Sequence, residues 1–220
     1  MCSKKRIIVY GDLHGCLERF KTLREKIGVL ERDLEICAGD VLGKGEHWSK
    51  LLQYLQEYKI QSVLGNHELN ILHIFDTNQK DLFAEDREIL KNLKPEDIEF
   101  IRSFPPFIKI DNLLVVHGGV HPKINLNSLS KQNIYEICQI RQVSKNDNSV
   151  LLDKQDKNTV PWQDIYNGEH GFVVYGHQRE KEVIQRKHSL GLDTGCVHGG
   201  KLSAAIFTDT KKIKYQIVSV

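Results

Sequence analysis

Five short polar motifs, distributed along most of the chain, carry side chains of the kinds that bind metal ions. In order they are Asp12-Leu13-His14-Gly15, Gly39-Asp40, Gly65-Asn66-His67-Glu68, His117-Gly118-Gly119 and Gly176-His177. Carboxylate, imidazole and amide oxygen together form the ligand set of hard-to-borderline divalent metals. If these groups meet in the folded chain, they predict a hydrolytic site that holds two metal ions.

Apolar runs precede the motifs and predict the strands that position them. The runs are Ile7-Ile8-Val9, Leu34-Glu35-Ile36, Ser62-Val63-Leu64, Leu113-Leu114-Val115-Val116 and Phe172-Val173-Val174-Tyr175. Their β-branched and aromatic residues favour extended structure. Because the ends of such strands gather at one edge of a sheet, residues that are far apart in sequence would converge there.

Each motif taken alone also has a purely structural interpretation. Asp12 and His14 could serve a turn, Asn66 could cap a helix, and His117 and His177 could be hydrogen-bonded structural histidines. All five motifs, however, stand at predicted strand ends and all use ligand-type side chains. That coincidence favours a metal site over five independent structural roles.

The order and spelling of the motifs resemble the calcineurin-like metallophosphoesterases, specifically the phosphoprotein-phosphatase branch with the pattern GDxHG, GDxxxRG, GNHE, HGG, GH. The resemblance extends from Gly11 to about Ala205. Residues 191–204, GLDTGCVHGGKLSA, are similar to the LDTGCVxGGxLTA segment of the bacterial ApaH and ApaH-like phosphatases. The resemblance implies a hydrolase of dinucleoside polyphosphates, RNA caps or polyphosphate, or, as in close relatives, of phosphoproteins.

The resemblance also implies a two-metal site in which one carboxylate bridges the ions. One ion would be bound by Asp12, His14 and Asp40, and the other by Asp40, Asn66, His117 and His177. A pair of ions about 3.5–4 Å apart activates water and takes up charge on the phosphate. Mixed nitrogen and oxygen ligands suit manganese, iron, zinc, cobalt or nickel better than calcium or magnesium. We therefore expect two divalent transition-metal ions per chain, with manganese as the first choice.

Three further residues are predicted to act on the substrate. His67, next to the ligand Asn66, resembles the general acid of the family, which protonates the leaving oxygen. Lys44 occupies the place where relatives carry arginine, and Arg141 is the candidate for a second phosphate-binding cation. The structural alternatives are packing at a helix start for His67 and a helix-surface charge for Arg141.

Two departures from the protein-phosphatase pattern bear on the substrate. Gly43 stands where those enzymes carry the aspartate that orients the general-acid histidine, and Leu64 stands where they carry arginine. His67 is therefore expected to lack a carboxylate partner. Phosphoanhydrides depend less on a strong acid than serine phosphate esters do, because their leaving groups are stabilised anions. The sequence thus favours dinucleoside polyphosphates over phosphoproteins.

Two other functions remain as alternatives. One is a serine/threonine protein phosphatase or a broad phosphomonoesterase of the same superfamily. The other, from a different class, is an inactive metal-bound binding subunit, because a fold of this kind can lose activity and keep its shape. The complete set of ligand types and the presence of His67 argue against the inactive subunit.

Composition predicts one domain over residues 1–220, located in the cytoplasm. Of the 220 residues, 40% are hydrophobic and 27% charged, with a net charge of +2, which disfavours general nucleic-acid or membrane binding. The five cysteines form no Cys-x-x-Cys pair and fit a reducing compartment. The sequence predicts no signal peptide and no membrane span. It leaves open the oligomeric state.

Alternating strand and helix patterns predict an α/β fold. Strands are predicted near 6–10, 34–38, 61–64, 106–110, 113–117, 172–175, 181–187, 190–193, 202–208 and 212–219. The first three alternate with helices, which predicts parallel strands, and residues 76–104 are predicted to be helical. Residues 144–160 are polar and are predicted to be a surface loop that could overhang the site. The layout suits a two-sheet sandwich flanked by helices, and the resemblance implies the same four-layer α-β-β-α sandwich of two mixed β-sheets.

Overall fold

The computed structural model describes residues 5–78, 84–121, 123–146, 150–151 and 158–220. The helices in these residues are α1 (Leu17–Ile27), α2 (Trp48–Glu57), α3 (Asn66–Thr77), α4 (Ala84–Lys91), α5 (Pro95–Arg102), α6 (Lys131–Gln139) and α7 (Trp162–Ile165). The strands are β1 (Ile7–Tyr10), β2 (Leu34–Cys37), β3 (Gln61–Ser62), β4 (Ile108–Ile110), β5 (Leu113–Val115), β6 (Gln142–Ser144), β7 (Val150–Leu151), β8 (Thr159–Pro161), β9 (Phe172–Tyr175), β10 (Ile184–Gln185), β11 (Ser189–Gly191), β12 (Ser203–Asp209) and β13 (Lys214–Ser219).

Two five-stranded mixed sheets form the centre of the fold. The first has the order β13-β12-β1-β2-β3, and the second has the order β10-β11-β9-β5-β4. Strands β1, β2 and β3 run parallel, as do β5, β9 and β11, while β12, β13, β4 and β10 pair antiparallel. The parallel strands lie inside the second sheet, whereas in the first sheet they include the edge strand β3. The carboxyl ends of the parallel strands share one edge.

Successive side chains along each strand point to opposite faces of the sheet, and this alternation produces the layers. Val9 faces the second sheet and packs in one cluster with Val174, whereas its neighbour Ile8 faces outward and packs with Phe20 of α1. The outer face of the second sheet packs against helical residues that include Trp162. The resulting order is helix, sheet, sheet, helix, which confirms the predicted fold class.

The segment predicted to be a polar loop contains regular structure. Strands β7 and β8 each pair antiparallel with β6 and form a small third sheet. Residues 147–149 and 152–157 of the predicted loop lie outside the described residues. The prediction of a loop was wrong for 144, 150–151 and 159–160, because the charged and amide residues of this segment mask the short apolar stretches that pair.

Helix α6 was not predicted, although its sequence carries local signals. The Ser130 hydroxyl accepts a hydrogen bond from the backbone N–H of Asn133, which caps the first turn. Ile137 and Cys138 are buried on its inner face. The helix matters for the site because Arg141 follows directly after it.

Among the described helices, none combines the length and the apolar character that a bilayer crossing requires.

Candidate active site

All the residues predicted from the motifs converge at the carboxyl edge of the two sheets. Asp12 and His14 follow β1, Asp40 follows β2, Asn66 and His67 open α3, and His117 and His177 follow β5 and β9. A cleft of about 380 Å³ is lined by Asp12, His14, Asp40, Lys44, Asn66, His67, Arg141, His177, Arg179, Asp193, Gly195, Val197 and His198. His117 is fully buried beneath it.

Three of the predicted ligands have left-handed backbone conformations. His14, Asp40 and His177 have φ angles of 43°, 45° and 63°. Residues other than glycine rarely adopt this region, and when they do the strain is typically found at functional sites. The fold thus imposes this backbone conformation at three side chains that face the cleft.

Glycines in the motifs allow the backbone to approach the carboxylates closely. A Cβ atom on Gly176 would lie 1.9 Å from Oδ1 of Asp12, and one on Gly65 would lie 2.2 Å from Oδ1 of Asp40. With Gly176 in place, the backbone N–H of His177 donates to both oxygens of Asp12, at 3.1 and 3.0 Å. The glycines therefore belong to the geometry of the site.

One group of donor atoms surrounds His117. A ligand atom from each of Asp40, His117 and His177 lies within 4.8 Å of the others. Nε2 of His117 is 3.2 Å from Oδ2 of Asp40 and 3.0 Å from Oδ1 of Asn66. The other ring nitrogen, Nδ1, contacts the carbonyl oxygen of Ala38 at 2.7 Å, which fixes the ring with Nε2 toward the cleft.

A second group lies on the other side of the same carboxylate. Ligand atoms from His14, Asp40 and His67 lie within 4.8 Å of one another. Nε2 of His14 is 3.8 Å from Oδ2 of Asp12 and 3.7 Å from Oδ2 of Asp40, while its Nδ1 is held 2.9 Å from the carbonyl of Leu42. Asp40 belongs to both groups, as a bridging ligand must.

The electrostatics of the cleft suit cations. Burial and the charge of Asp193 raise the pKa of the Asp12 carboxyl well above its usual range. Burial also disfavours ionisation of Asp40, but His117, His67 and His14 outweigh it and hold the pKa of Asp40 well below its usual range. Buried carboxylates, an amide oxygen and imidazole nitrogens within a few ångströms of one another form a donor set that fits divalent transition metals.

Metal binding should release protons from this site. Burial lowers the pKa of His117, but Asp40 and Asp12 overcome this effect and raise it to about 10. His117 is therefore protonated at neutral pH before an ion binds, and it must become neutral to act as a ligand. We expect release of at least one proton per site. Apparent metal affinity should then fall about tenfold for each unit by which the pH is lowered below 8.

Isothermal titration calorimetry in two buffers with different ionisation enthalpies measures this release. The slope of the observed enthalpy against the buffer enthalpy should correspond to one proton or more. Equal enthalpies in both buffers would show that His117 is already neutral in the metal-free protein and would contradict the expected effect.

Glu68 is a structural member of the site that sequence reasoning missed. Its fully buried carboxylate accepts hydrogen bonds from the backbone N–H groups of Asp40, Leu42 and Gly65, at 2.9, 2.8 and 2.9 Å. Burial and the nearby Asp40 raise its pKa to about 7. Glu68 thus ties the loop after β2 to the start of α3, two segments that both supply predicted ligands.

The expectation that His67 lacks a carboxylate partner was wrong. Its Nδ1 lies 2.5 Å from Oδ1 of Asp86, a residue of α4. Burial disfavours the imidazolium form, but Asp40 and Asp86 together raise the pKa of His67 to about 9. Gly43, from which the missing partner was inferred, instead lies against His14. The carboxylate partner, Asp86, lies on α4, a helix that contains none of the five motifs.

The cations predicted for phosphate binding both line the cleft, and a third accompanies them. Lys44 is exposed and Arg141 is half-buried. Arg179, which sequence reasoning missed, also lines the cleft and stands only two residues after the predicted ligand His177. Asp193 lines it too, from within residues 191–204. The position of Arg179 beside a ligand motif was the available signal.

Comparison with known proteins gives consistent matches over nearly the whole chain. The sequence model described as calcineurin-like phosphoesterase matches residues 5–217. A symmetrical bis(5'-nucleosyl)-tetraphosphatase from Wigglesworthia glossinidia brevipalpis is 26% identical, over 88% of this chain and 93% of its own length. A zinc-dependent endopolyphosphatase from Saccharomyces cerevisiae is 24% identical, over 97% of this chain and 77% of its own length.

A solved structure shares the fold. The crystal structure of a candidate diadenosine tetraphosphatase superimposes with a TM-score of 0.85 at 25% sequence identity. The match covers 98% of this chain and 93% of that one. The arrangement of two sheets and flanking helices therefore lies within an architecture already seen in a crystal.

Proposed function

Since this chain belongs to the calcineurin-like phosphoesterase family, a family of divalent-metal-dependent phosphoester and phosphoanhydride hydrolases, we propose that it cleaves dinucleoside polyphosphates. The single observation that carries the chemistry is the position of Asp40 between two groups of donor atoms. A shared carboxylate of this kind is what a two-metal phosphoesterase requires. We also propose that residues 1–220 act as one catalytic domain.

The chain offers two adjacent sets of metal ligands. In the proposed site Asp12, His14 and Asp40 would hold one ion, and Asp40, Asn66, His117 and His177 would hold the other. Two bound divalent ions supply Lewis acidity and activate water for attack on phosphorus. Manganese is our first choice, and zinc is a strong second because the yeast relative is described as zinc-dependent.

The remaining residues of the cleft bind and orient the substrate. Lys44, Arg141 and Arg179 present positive charge to the phosphate chain. Lysine supplies a point charge, whereas the planar guanidinium of arginine can bind two phosphate oxygens at once. His67 delivers a proton from Nε2 to the leaving oxygen, with Nδ1 occupied by Asp86.

The substrate class rests on the relatives. The Wigglesworthia relative and the matched crystal structure both carry names that refer to tetraphosphatase activity. A weak general acid does not support this choice, because His67 has a carboxylate partner in Asp86. Cytoplasmic location is also part of the proposal, since Cys16, Cys37, Cys138 and Cys196 are free thiols.

A second candidate function, phosphomonoester hydrolysis with phosphoproteins included, is favoured by one specific observation. An aspartate-paired histidine suits leaving groups that need a proton, such as the serine alkoxide. His67 and Asp86 form such a pair at 2.5 Å. The two candidates therefore differ in substrate and share the same metal site and acid.

A substrate panel with manganese, and in parallel with zinc, distinguishes the two. We expect kcat/KM for diadenosine tetraphosphate to exceed that for a phosphoserine peptide by at least tenfold, or about 1.4 kcal/mol of transition-state stabilisation. The three cations can interact with several phosphates of the longer substrate at once, which is the physical reason. Faster turnover of the phosphopeptide by the same margin, with polyphosphates nearly inert, would establish the phosphomonoesterase instead.

A further inference from the structure

The imidazole of His67 is held by a buried carboxylate that lies outside every sequence motif. Nδ1 of His67 is 2.5 Å from Oδ1 of Asp86. The side chains of His67 and Asp86 are only 12% and 4% exposed. Because an aspartate is rarely buried unless its oxygens are paired, this position indicates a specific role for the carboxylate.

Both oxygens of Asp86 are engaged, which fixes its orientation. Oδ2 accepts a hydrogen bond of 2.9 Å from Nδ2 of Asn70, one turn along α3 from His67. The carboxylate of α4 therefore spans two side chains on the same face of α3. This two-point attachment prevents the carboxylate from rotating away from the imidazole, so the direction of the histidine ring is set by the packing of α4 on α3.

No carboxylate could reach His67 from position 43 with this backbone. A Cβ atom on Gly43 would lie 2.2 Å from Nδ1 of His14. The φ angle of Gly43 is 131°, in the region that favours glycine. The loop after β2 packs against a predicted metal ligand at this point, and the acidic partner of the histidine has to come from another element.

We propose that Asp86 is the positioning residue for His67 in phosphate hydrolysis. It accepts the Nδ1–H hydrogen bond of the imidazolium and directs Nε2–H toward the leaving oxygen, and it favours the Nδ1–H tautomer once the Nε2 proton has left. In the reaction, water adds its oxygen to phosphorus and the bond from phosphorus to the leaving oxygen breaks. The Nε2 proton passes to the leaving oxygen, and a proton from the attacking water restores Nε2. This inference rests on the proposed function of His67 as the proton donor.

Replacing Asp86 with alanine tests the inference, with Asp97→Ala as a matched control. Asp97 is also a helical aspartate with 3% exposure, but its carboxylate accepts from the backbone N–H of Lys94 at the start of α5. We expect Asp86→Ala to lower kcat on phenyl phosphate by about 10–100-fold, and by only a few-fold on 4-nitrophenyl phosphate, whose leaving group departs unprotonated. Asp86→Ala should change KM little, and Asp97→Ala should change kcat by the same factor on both esters.

The conservative variant and the double variant separate positioning from structure. Asp86→Asn keeps an oxygen that can accept from Nδ1–H, so it should recover most of the rate on phenyl phosphate. Removing Asp86 in a His67→Ala background should cost nothing further, because the two residues act as a unit. The inference would be overturned if the rate losses of the two single variants multiply in the double variant. It would also be overturned if Asp86→Ala lowers kcat equally on both esters.

Nitrogen NMR spectroscopy detects the pairing of His67 with Asp86 without a measurement of turnover. Imidazole ¹⁵N spectra of the metal-free protein, recorded at a pH high enough to make the ring neutral, should show the remaining proton of His67 on Nδ1, and Asp86→Ala should shift the neutral ring toward Nε2 protonation. If the alanine variant does not fold, Asp86→Leu, which also removes the acceptor but fills more of the space, serves in both measurements. A wild-type protein that hydrolyses neither ester nor diadenosine tetraphosphate would refute the proposed function, whereas an unchanged ¹⁵N spectrum in an active Asp86→Ala protein would refute only this inference.

Discussion

Replacing Asp40 with asparagine should lower kcat by at least about 10³-fold while the chain stays folded. Asp40 belongs to both groups of donor atoms, so a neutral side chain at this position weakens both metal sites together. Several kcal/mol of transition-state stabilisation by the metals would be lost, and each 1.36 kcal/mol is worth about tenfold in rate. Asparagine can still accept the 3.1 Å hydrogen bond from the backbone N–H of His67, so the local fold should persist.

Metal content and thermal unfolding are the measurements for Asp40→Asn. Wild-type protein should bind two divalent ions at saturation, and the variant should bind fewer. Asp164→Asn is the matched control, because Asp164 pairs with Arg186 on the surface, 3.0 Å away, and lies outside the cleft. Wild-type protein that saturates far below two ions, or that keeps full turnover after exhaustive chelation, would disprove the two-metal interpretation.

Replacing His67 with alanine should produce the second large effect, and its size should depend on the leaving group. General acid catalysis contributes about 10²–10⁴ in rate when the leaving oxygen needs a proton. We expect a loss in that range on phenyl phosphate and a much smaller loss on 4-nitrophenyl phosphate. Although burial disfavours the imidazolium, in the metal-free chain Asp40 and Asp86 raise the pKa of His67 to about 9, and the hydrogen bond to Asp86 is a part of this effect that does not involve a predicted metal ligand.

Steady-state kinetics on the two esters decide the role of His67. His47→Ala is a suitable control, since His47 is an exposed residue at the start of α2. Equal losses on both esters would mean that His67 orients the substrate and donates no proton. A rise in KM at unchanged kcat would instead place its contribution in uniform binding of the phosphate.

The convergence of the motif residues could be predicted from the sequence because its causes are local. Each motif directly follows an apolar run, and a strand sends the residue after its end to the edge of the sheet. Asp12 and His177 are far apart in the chain, yet the backbone N–H of His177 donates to the Asp12 carboxylate. The parallel direction of the first three strands followed from their alternation with helices, and the four-layer arrangement was implied by the family resemblance.

The partners of the motif residues depended on tertiary structure. Asp86 lies in the charged run Ala84-Glu85-Asp86-Arg87-Glu88, in which no local pattern distinguishes the buried aspartate from its solvent-facing neighbours. Glu68 was visible in a motif, but its hydrogen bonds to Asp40 and Leu42 cross 28 and 26 residues. The pairing of β6 with β7 and β8 was likewise hidden in a polar segment.

Local sequence is enough to predict which side chains stand at the strand ends, because strand formation and the turn that follows are governed by neighbouring residues. The carboxylate that holds His67 and the reason for a glycine at position 43 became visible only in the folded chain. Both outcomes depend on contacts between elements that are distant in sequence: α4 on α3 places Asp86 at Nδ1 of His67, and the loop after β2 packs on His14. Such contacts are set by how whole elements pack, and no local pattern of residues encodes them.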